Sequence, residues 1–451
     1  MKYILLAALM TVPLALAAAP APLPPGGAAI LTWTPAQQEW GYKHMELINP
    51  ARTIKRGRKV HALPKAAVEI NPRFDADGAS YDTASYMRTY RVSGVLAIKD
   101  GKIILERYGL GRTPRDRWTS FSVAKSVTST LIGAAIRDGK IKSLDDPVTT
   151  YIPELVGSAY EGVNVRQLIT MTSGVKWNEN YTDPHSDVAM EGLTVLEPGV
   201  NPVVSYMRRL PREAPPGTKF SYKTGETDLA GILLSNAVGE PLSQYLSEKI
   251  WKPYGMEQDG VWVEDIAGHE RGGCCMSMTL RDYGRLGMFT LDQGRVGGAE
   301  IVPEGWMQDA TAPHVTEPPY GYFWWPAPGG YEAKGIFGQS LSVFPGEHLV
   351  VVINAAWPAA TDKNLSKVRA LYIQSIRSAA ASSKISQEDI HAQDRLGRRP
   401  GTQGLVLSRT IRCAVCHENA AAPRRGGSAE GFRRELDDAA AGRLVQSASL
   451  A

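Results

Sequence analysis

Ser122 and Lys125, three residues apart in "RWTSFSVAKSVTSTLIGAAIRDG", are the first residues in the chain whose types and spacing could do chemistry. A serine hydroxyl is a weak nucleophile until a nearby base takes its proton. Positions i and i+3 share a helix face, so the Lys125 amine can reach the Ser122 hydroxyl if this stretch is helical. Eleven residues without a charge separate Lys125 from Arg137, which predicts a helix buried almost all round. Among Phe121, Val123, Ala124 and Val127 an ammonium would lose its water shell, and desolvation lowers a lysine pKa toward that of a usable base. A serine at the first turn also sits beside free backbone N–H groups. Taken alone, S-x-x-K also describes a capping serine with a lysine snorkelling to solvent.

These residues need a frame. "GVLAIKDGKIILERYG" holds two β-rich apolar runs around Asp100-Gly101, a hairpin signature. The Ser122 helix follows and stops at Asp138-Gly139. "VRQLITMTSG", "TDLAGILLSNAVG" and "LRDYGRLGMFTLDQG" read as helices closing on glycine. Strand character returns in "YGYFWW", "IFGQSLSVFP" and "HLVVVINAAW", and "KNLSKVRALYIQSIRSAA" has helical spacing. The order predicts an α/β fold, with one antiparallel sheet built from the first and last parts and a mostly helical section inserted between them. This body occupies residues 90–384. Residues 20–89 read as a Pro- and Gly-containing lead-in, loosely packed, with a solvated basic patch "RTIKRGRK". Residues 1–19 have the layout of a secretory signal peptide, which predicts a periplasmic or secreted protein with no stable membrane anchor. From residue 385 to 451 an Arg/Ala/Gly-rich stretch without lysine reads as a mobile tail.

Two later stretches weigh on the serine and lysine. "PPGTKFSYKTGETDLAGILLS" sets Tyr222 just before a helix, and "YEAKGIFGQSLSVFP" is a glycine-punctuated strand whose backbone can approach a ligand closely. With these motifs in this order, the chain resembles the serine β-lactamase-like superfamily of penicillin-recognising hydrolases. Within it, the resemblance is to the branch of 6-aminohexanoate-dimer (nylon-oligomer) hydrolases and related carboxylesterases, over residues 90–380. The resemblance implies a β-lactamase-like fold with helices flanking the sheet and the active site in a cleft beside the helical domain. It implies Ser122 as acyl-enzyme nucleophile, Lys125 as its base and Tyr222 as proton relay to the leaving group. The backbone N–H groups of Ser122 and Ile336 would form the oxyanion hole, next to Gly335. Tyr181, in "GVKWNENYTDPHSD", stands where that branch carries a loop tyrosine that closes over bound amide. The chain departs from the pattern at Thr224, where many members have Asn, and at Ala333, where others carry a Lys or His that holds a substrate carboxylate. Lys334 is the neighbouring cation that could partly compensate.

Other signals carry less. A net charge of +4 over 451 residues suggests no nucleic-acid partner. Cys413-Ala-Val-Cys416-His417 matches a haem-attachment pattern, but no methionine or second histidine follows to complete the axial pair, so no cofactor is expected. Cys274 and Cys275 could form a vicinal disulfide, but read first as two small residues packed before a helix. The eight histidines show no paired metal spacing, so no metal is expected. The expectation is an exported serine hydrolase cleaving amide or ester bonds of small or oligomeric substrates. Two alternatives stay open: a β-lactamase or D,D-peptidase acting on penicillins or cell-wall peptides, and a penicillin-fold module that binds without turnover.

Overall fold

The computed structural model of the chain describes residues 23–193 and 197–397. The expected signal peptide, the Cys413–Cys416 pair and the tail beyond residue 397 lie outside them. The chain divides into residues 1–393 and 394–451, the second described only through the last turn of a helix.

Six antiparallel strands make the main sheet: β1 (Val92–Lys99), β2 (Lys102–Tyr108), β3 (Trp325–Ala327), β4 (Gly330–Gly335), β5 (Gln339–Phe344) and β6 (Leu349–Ala355). Their spatial order is β3-β4-β5-β6-β1-β2. Asp100 and Gly101, at φ 50° and 74°, supply the two left-handed residues that a tight β1–β2 turn needs. β6 pairs with β1, Val351 opposite Ala97, so the first and last parts of the body close one sheet, as the order of elements predicts.

Four helices matter for the site: α1 (Val123–Arg137), α2 (Thr224–Val238), α3 (Leu280–Leu291) and α4 (Lys363–Gly397). Every residue from Val123 to Ala135 is buried, which explains the uncharged run. α1 packs against α2, and α3 lies on the sheet through Gly284 and Gly287. A Cβ at those glycines would stand 2.7 Å from the Leu96 side chain and 2.5 Å from that of Val350. α4 covers the other face, with Tyr372 stacked on Tyr86 at 4.1 Å. It continues past residue 385, where the composition changes.

The lead-in packs more tightly than its composition predicts. Ala51–Ile54 pairs with Gly260–Val263 in a second sheet, completed by Met276–Thr279 and Arg117–Thr119. Tyr42 is fully buried, its ring at 5.5 Å from Trp118, 5.1 Å from Phe121 and 5.9 Å from Phe337. A few large aromatic side chains, Trp33 and Tyr42 among them, bury enough surface to anchor a segment that Pro and Gly make look loose. The basic patch is partly neutralised, Arg52 by Glu264 at 2.8 Å and Lys55 by Asp259 at 3.2 Å.

Candidate active site

The second sheet delivers the serine. Ser120 N–H donates to the Met276 carbonyl at 2.7 Å, continuing the Arg117–Thr119 strand by one residue. Phe121 then turns the chain with a left-handed φ of 44°, a conformation that costs a bulky residue of order 1 kcal/mol or more. Its ring is held between Tyr42 and Phe337. Ser122 is the N-cap of α1, yet its side chain makes no capping hydrogen bond. Lys125 does not snorkel: it is 1% exposed. Its Nζ is 3.1 Å from Ser122 Oγ, 3.1 Å from Thr224 Oγ1 and 2.9 Å from the Gly273 carbonyl oxygen. Burial pulls its pKa down to about 8, against the upward pull of the Glu179 and Asp228 carboxylates. At neutral to mildly alkaline pH a sizeable fraction is the free amine.

Tyr222 and Thr224 reach the site from the segment that enters α2. The Tyr222 ring lies 5.2 Å from Lys125 Nζ and stacks on Trp325 at 5.8 Å. Burial pushes its hydroxyl far above the ordinary phenol range, the Glu179 charge adds to this, and a hydrogen bond with Ser122 works the other way. Tyr222 therefore stays protonated and can donate. Between them, Lys223 turns inward and pairs with Glu226 at 3.3 Å, both fully buried. Ser173 and Tyr160 complete that cluster. Alternation along the segment plants it through Lys223 while Tyr222 and Thr224 face Lys125.

β4 closes the third side. A Cβ on Gly335 would stand 2.5 Å from the Ser120 carbonyl oxygen, so only glycine lets the strand end come this close. The next residue, Ile336, opens a single turn, Ile336–Gly338, whose Phe337 ring lies 5.2 Å from that of Phe121.

A model of the Beta-lactamase family matches residues 82–372. The chain belongs to the Beta-lactamase family. It is 28% identical to the 6-aminohexanoate-dimer hydrolase of Paenarthrobacter ureafaciens over 361 residues, covering 74% of this chain and 90% of that protein. A Bacillus anthracis structure, provisionally described as a 6-aminohexanoate-dimer hydrolase, superposes with a TM-score of 0.69 at 22% identity, over 80% of this chain and 98% of that one. EstCE1, "a hydrolase with promiscuous acyltransferase activity", superposes at 0.54 with 17% identity, over 66% and 96%. These structural likenesses show the α/β fold, an antiparallel sheet with helices on it.

In this Beta-lactamase family member the structure brings Ser122, Thr224 and the Tyr222 ring to Lys125, joins Tyr181 to them through Glu179, and sets Gly335 against the Ser120 backbone. The Lys334 ammonium pairs with Glu332 at 2.9 Å and sits 5.3 Å from the Trp325 ring centroid, so it does not stand as a free cation in place of the residue lost at Ala333. Ala333 is itself fully buried, opposite Leu341. Cys274 and Cys275 are not merely two small packed residues; they are joined as a vicinal disulfide directly after Gly273, with Cys275 in the left-handed region at φ 75°. Nothing in a Cys-Cys pair announces that backbone turn.

Sequence reasoning missed Glu179. Its Oε1 accepts from the Tyr181 hydroxyl at 2.7 Å and its Oε2 from Thr224 N–H at 2.9 Å. The Thr224 hydroxyl and Trp177 Nε1 also bond to it. The alternation Trp177, Glu179, Tyr181 was the available signal, since residues i, i+2 and i+4 of an extended segment share a side. Asp228 was missed too: it accepts from Gly273 N–H at 2.7 Å and pairs with Arg271 at 2.8 Å, fixing the stretch whose carbonyl holds Lys125. Arg271 also binds Glu191, whose carboxyl burial pushes up against the downward pull of Arg271.

Proposed function

We propose that the chain cleaves amide or ester bonds of small or oligomeric substrates through a covalent acyl-enzyme on Ser122. The observation that carries this reading is the desolvated Lys125 amine 3.1 Å from the Ser122 hydroxyl. Lys125 takes the Ser122 proton as Oγ bonds to the substrate carbonyl carbon. The tetrahedral oxygen is met by the amides of Ser122 and Ile336. Tyr222, protonated and hydrogen-bonded to Ser122, passes a proton to the departing amine or alcohol. Water then attacks the ester, giving up its proton to the Lys125–Tyr222 pair, and the acid leaves with Ser122 restored. Support for amide and ester chemistry comes from the names of the relatives, a 6-aminohexanoate-dimer hydrolase and a hydrolase with acyltransferase activity. Against a penicillin-type carboxylate stand Ala333 and the pairing of Lys334 with Glu332. The signal-like residues 1–19 support export to the periplasm or medium.

The test is a panel of p-nitrophenyl esters, 6-aminohexanoate dimer and nitrocefin, with wild type and Ser122→Ala. The expected result is turnover of esters or the linear amide above nitrocefin, abolished in Ser122→Ala, with fluorophosphonate labelling of wild type only. Unchanged turnover in the variant overturns the reading, and so does absence of labelling, which a binding module would give.

A further inference from the structure

We infer that Glu179 is a positioning residue: acting through the Thr224 hydroxyl, it turns the lone pair of Lys125 onto Ser122. The inference rests on the reading of Lys125 as the base for Ser122.

A neutral amine has two N–H bonds and one lone pair, and Lys125 Nζ has three oxygen neighbours. The Gly273 carbonyl, at 2.9 Å, can only accept, so one N–H goes there. Thr224 Oγ1 and Ser122 Oγ, each at 3.1 Å, must share what remains. Both are hydroxyls that can donate or accept. If Thr224 donated to the lone pair, the second N–H would point at Ser122, and the nucleophile could not lose its proton.

Glu179 decides between the two. An ionised carboxylate accepts only, and this one grips the same residue twice, taking Thr224 N–H at 2.9 Å on Oε2 and the Thr224 hydroxyl on Oε1. Thr224 spends its single hydroxyl proton on Glu179, and its oxygen is left to accept from Lys125. The lone pair is then free for Ser122. When the Ser122 Oγ–H bond breaks and the Nζ–H bond forms, each of the three ammonium protons has an acceptor: Gly273 O, Thr224 Oγ1 and the new bond partner. Trp177 Nε1 and the Tyr181 hydroxyl donate to Glu179 and hold it in place.

The other charges facing Lys125 do not do this. Asp228 and Glu191 favour its charged form and Arg271 opposes it, but Asp228 is engaged by Arg271 and by the amide of Gly273, and the Gly273 carbonyl accepts whatever Asp228 does. The Tyr222 ring offers a π face at 5.2 Å. Among the charged groups of the described residues that face Lys125, Glu179 is the one that touches the Thr224 hydroxyl, which could compete for the lone pair.

The experiment follows the rate of Ser122 acylation by a fluorophosphonate across pH, in wild type and in Glu179→Gln, Thr224→Ser, Thr224→Val and the Glu179→Gln/Thr224→Val double variant. A glutamine has one acceptor oxygen for the four donors that meet Glu179, so the Thr224 proton loses its fixed acceptor. The expected result for Glu179→Gln is a plateau about ten- to a hundredfold lower, a fraction of what a general base contributes. The acid limb should move to lower pH, because a lost carboxylate no longer favours the ammonium. Thr224→Ser should recover the plateau lost in Thr224→Val, and Glu179→Gln should cost little more once Thr224 is valine. A wild type that labels beside a Glu179→Gln with the same plateau and limb overturns the inference alone, as does an equal loss in the Thr224→Val background. If Glu179→Gln does not fold, a Thr224→Val plateau equal to wild type overturns it. A wild type that does not label removes the Ser122 reading and the inference together.

Discussion

Gly335 lies against the backbone of Ser120, so that a Cβ at residue 335 would stand 2.5 Å from the Ser120 carbonyl oxygen and 3.2 Å from Cβ of Phe121. The φ of Gly335 is −129°, ordinary extended backbone, so the demand for glycine here is one of space. Gly335→Ala should push the end of β4 off the turn that carries Ser122 and, on the proposed mechanism, widen the gap between the Ser122 and Ile336 amides. Loss of one such donor costs about a hundred- to a thousandfold in rate. The expected outcome is a fall in kcat for p-nitrophenyl esters of about a hundredfold, with a cooperative melting transition retained. Wild-type kcat in Gly335→Ala would show that the Ile336 amide takes no part.

The pH dependence follows from Lys125. As the proposed base its amine must be neutral to act, and burial pulls its pKa down to about 8, so the rate of Ser122 acylation should rise with pH through about 8 and level off above. Stability should move in the same direction. The folded pKa lies below the unfolded lysine value, so between the two the unfolded chain binds more protons, and stability rises with pH across that window. Lys125→Met should abolish acylation and remove this contribution, which titration of denaturant midpoints from pH 7.5 to 10 would measure. A rate that declines with rising pH in this range would mean that charged Lys125 is the working form.

The parts of this picture that were legible in the sequence are those whose causes are local. The β1–β2 hairpin follows from Asp100-Gly101, and burial of α1 from its uncharged run. Ser122, Lys125 and Tyr222 lie in short motifs whose order is informative. Glu179 was hidden because its meaning depends on Thr224, 45 residues away, and a carboxylate in a polar loop resembles any solvated one. The packing of Tyr42 was hidden because its partners, Trp118, Phe121 and Phe337, are spread over the chain. The disulfide at Cys274–Cys275 turns on a left-handed backbone at Cys275, which is imposed by the surrounding fold rather than by the dipeptide.

Tyr42 links the lead-in to the turn that carries Ser122. Its fully buried ring touches both Phe121, which turns the chain into Ser122, and Phe337, which follows the Ile336 amide. Tyr42→Ala should leave a cavity under both of the proposed oxyanion donors. Truncating a buried aromatic costs about 3–5 kcal/mol, and here the loss should appear in kcat as well as in the urea midpoint. A variant with lower stability but full kcat for the folded fraction would confine Tyr42 to a packing role.

Lys223 and Glu226 should behave as a buried pair whose members depend on each other. Both are fully buried at 3.3 Å, and burial already holds the Glu226 carboxyl above its usual range, with Lys223 pulling it down. Lys223→Met removes that pull and leaves an unpaired carboxylate in the helical core, which costs about 3–5 kcal/mol. A carboxyl whose folded pKa is raised binds more protons folded than unfolded, so the variant should lose stability as pH rises and recover part of it in acid. Lys223→Met/Glu226→Leu, which removes both charges, should be more stable than Lys223→Met at pH 8. Denaturant midpoints of the three proteins at pH 5 and pH 8 decide the matter. If Lys223→Met is equally stable at both pH values and no worse than the double variant, the pair does not anchor the segment carrying Tyr222 and Thr224.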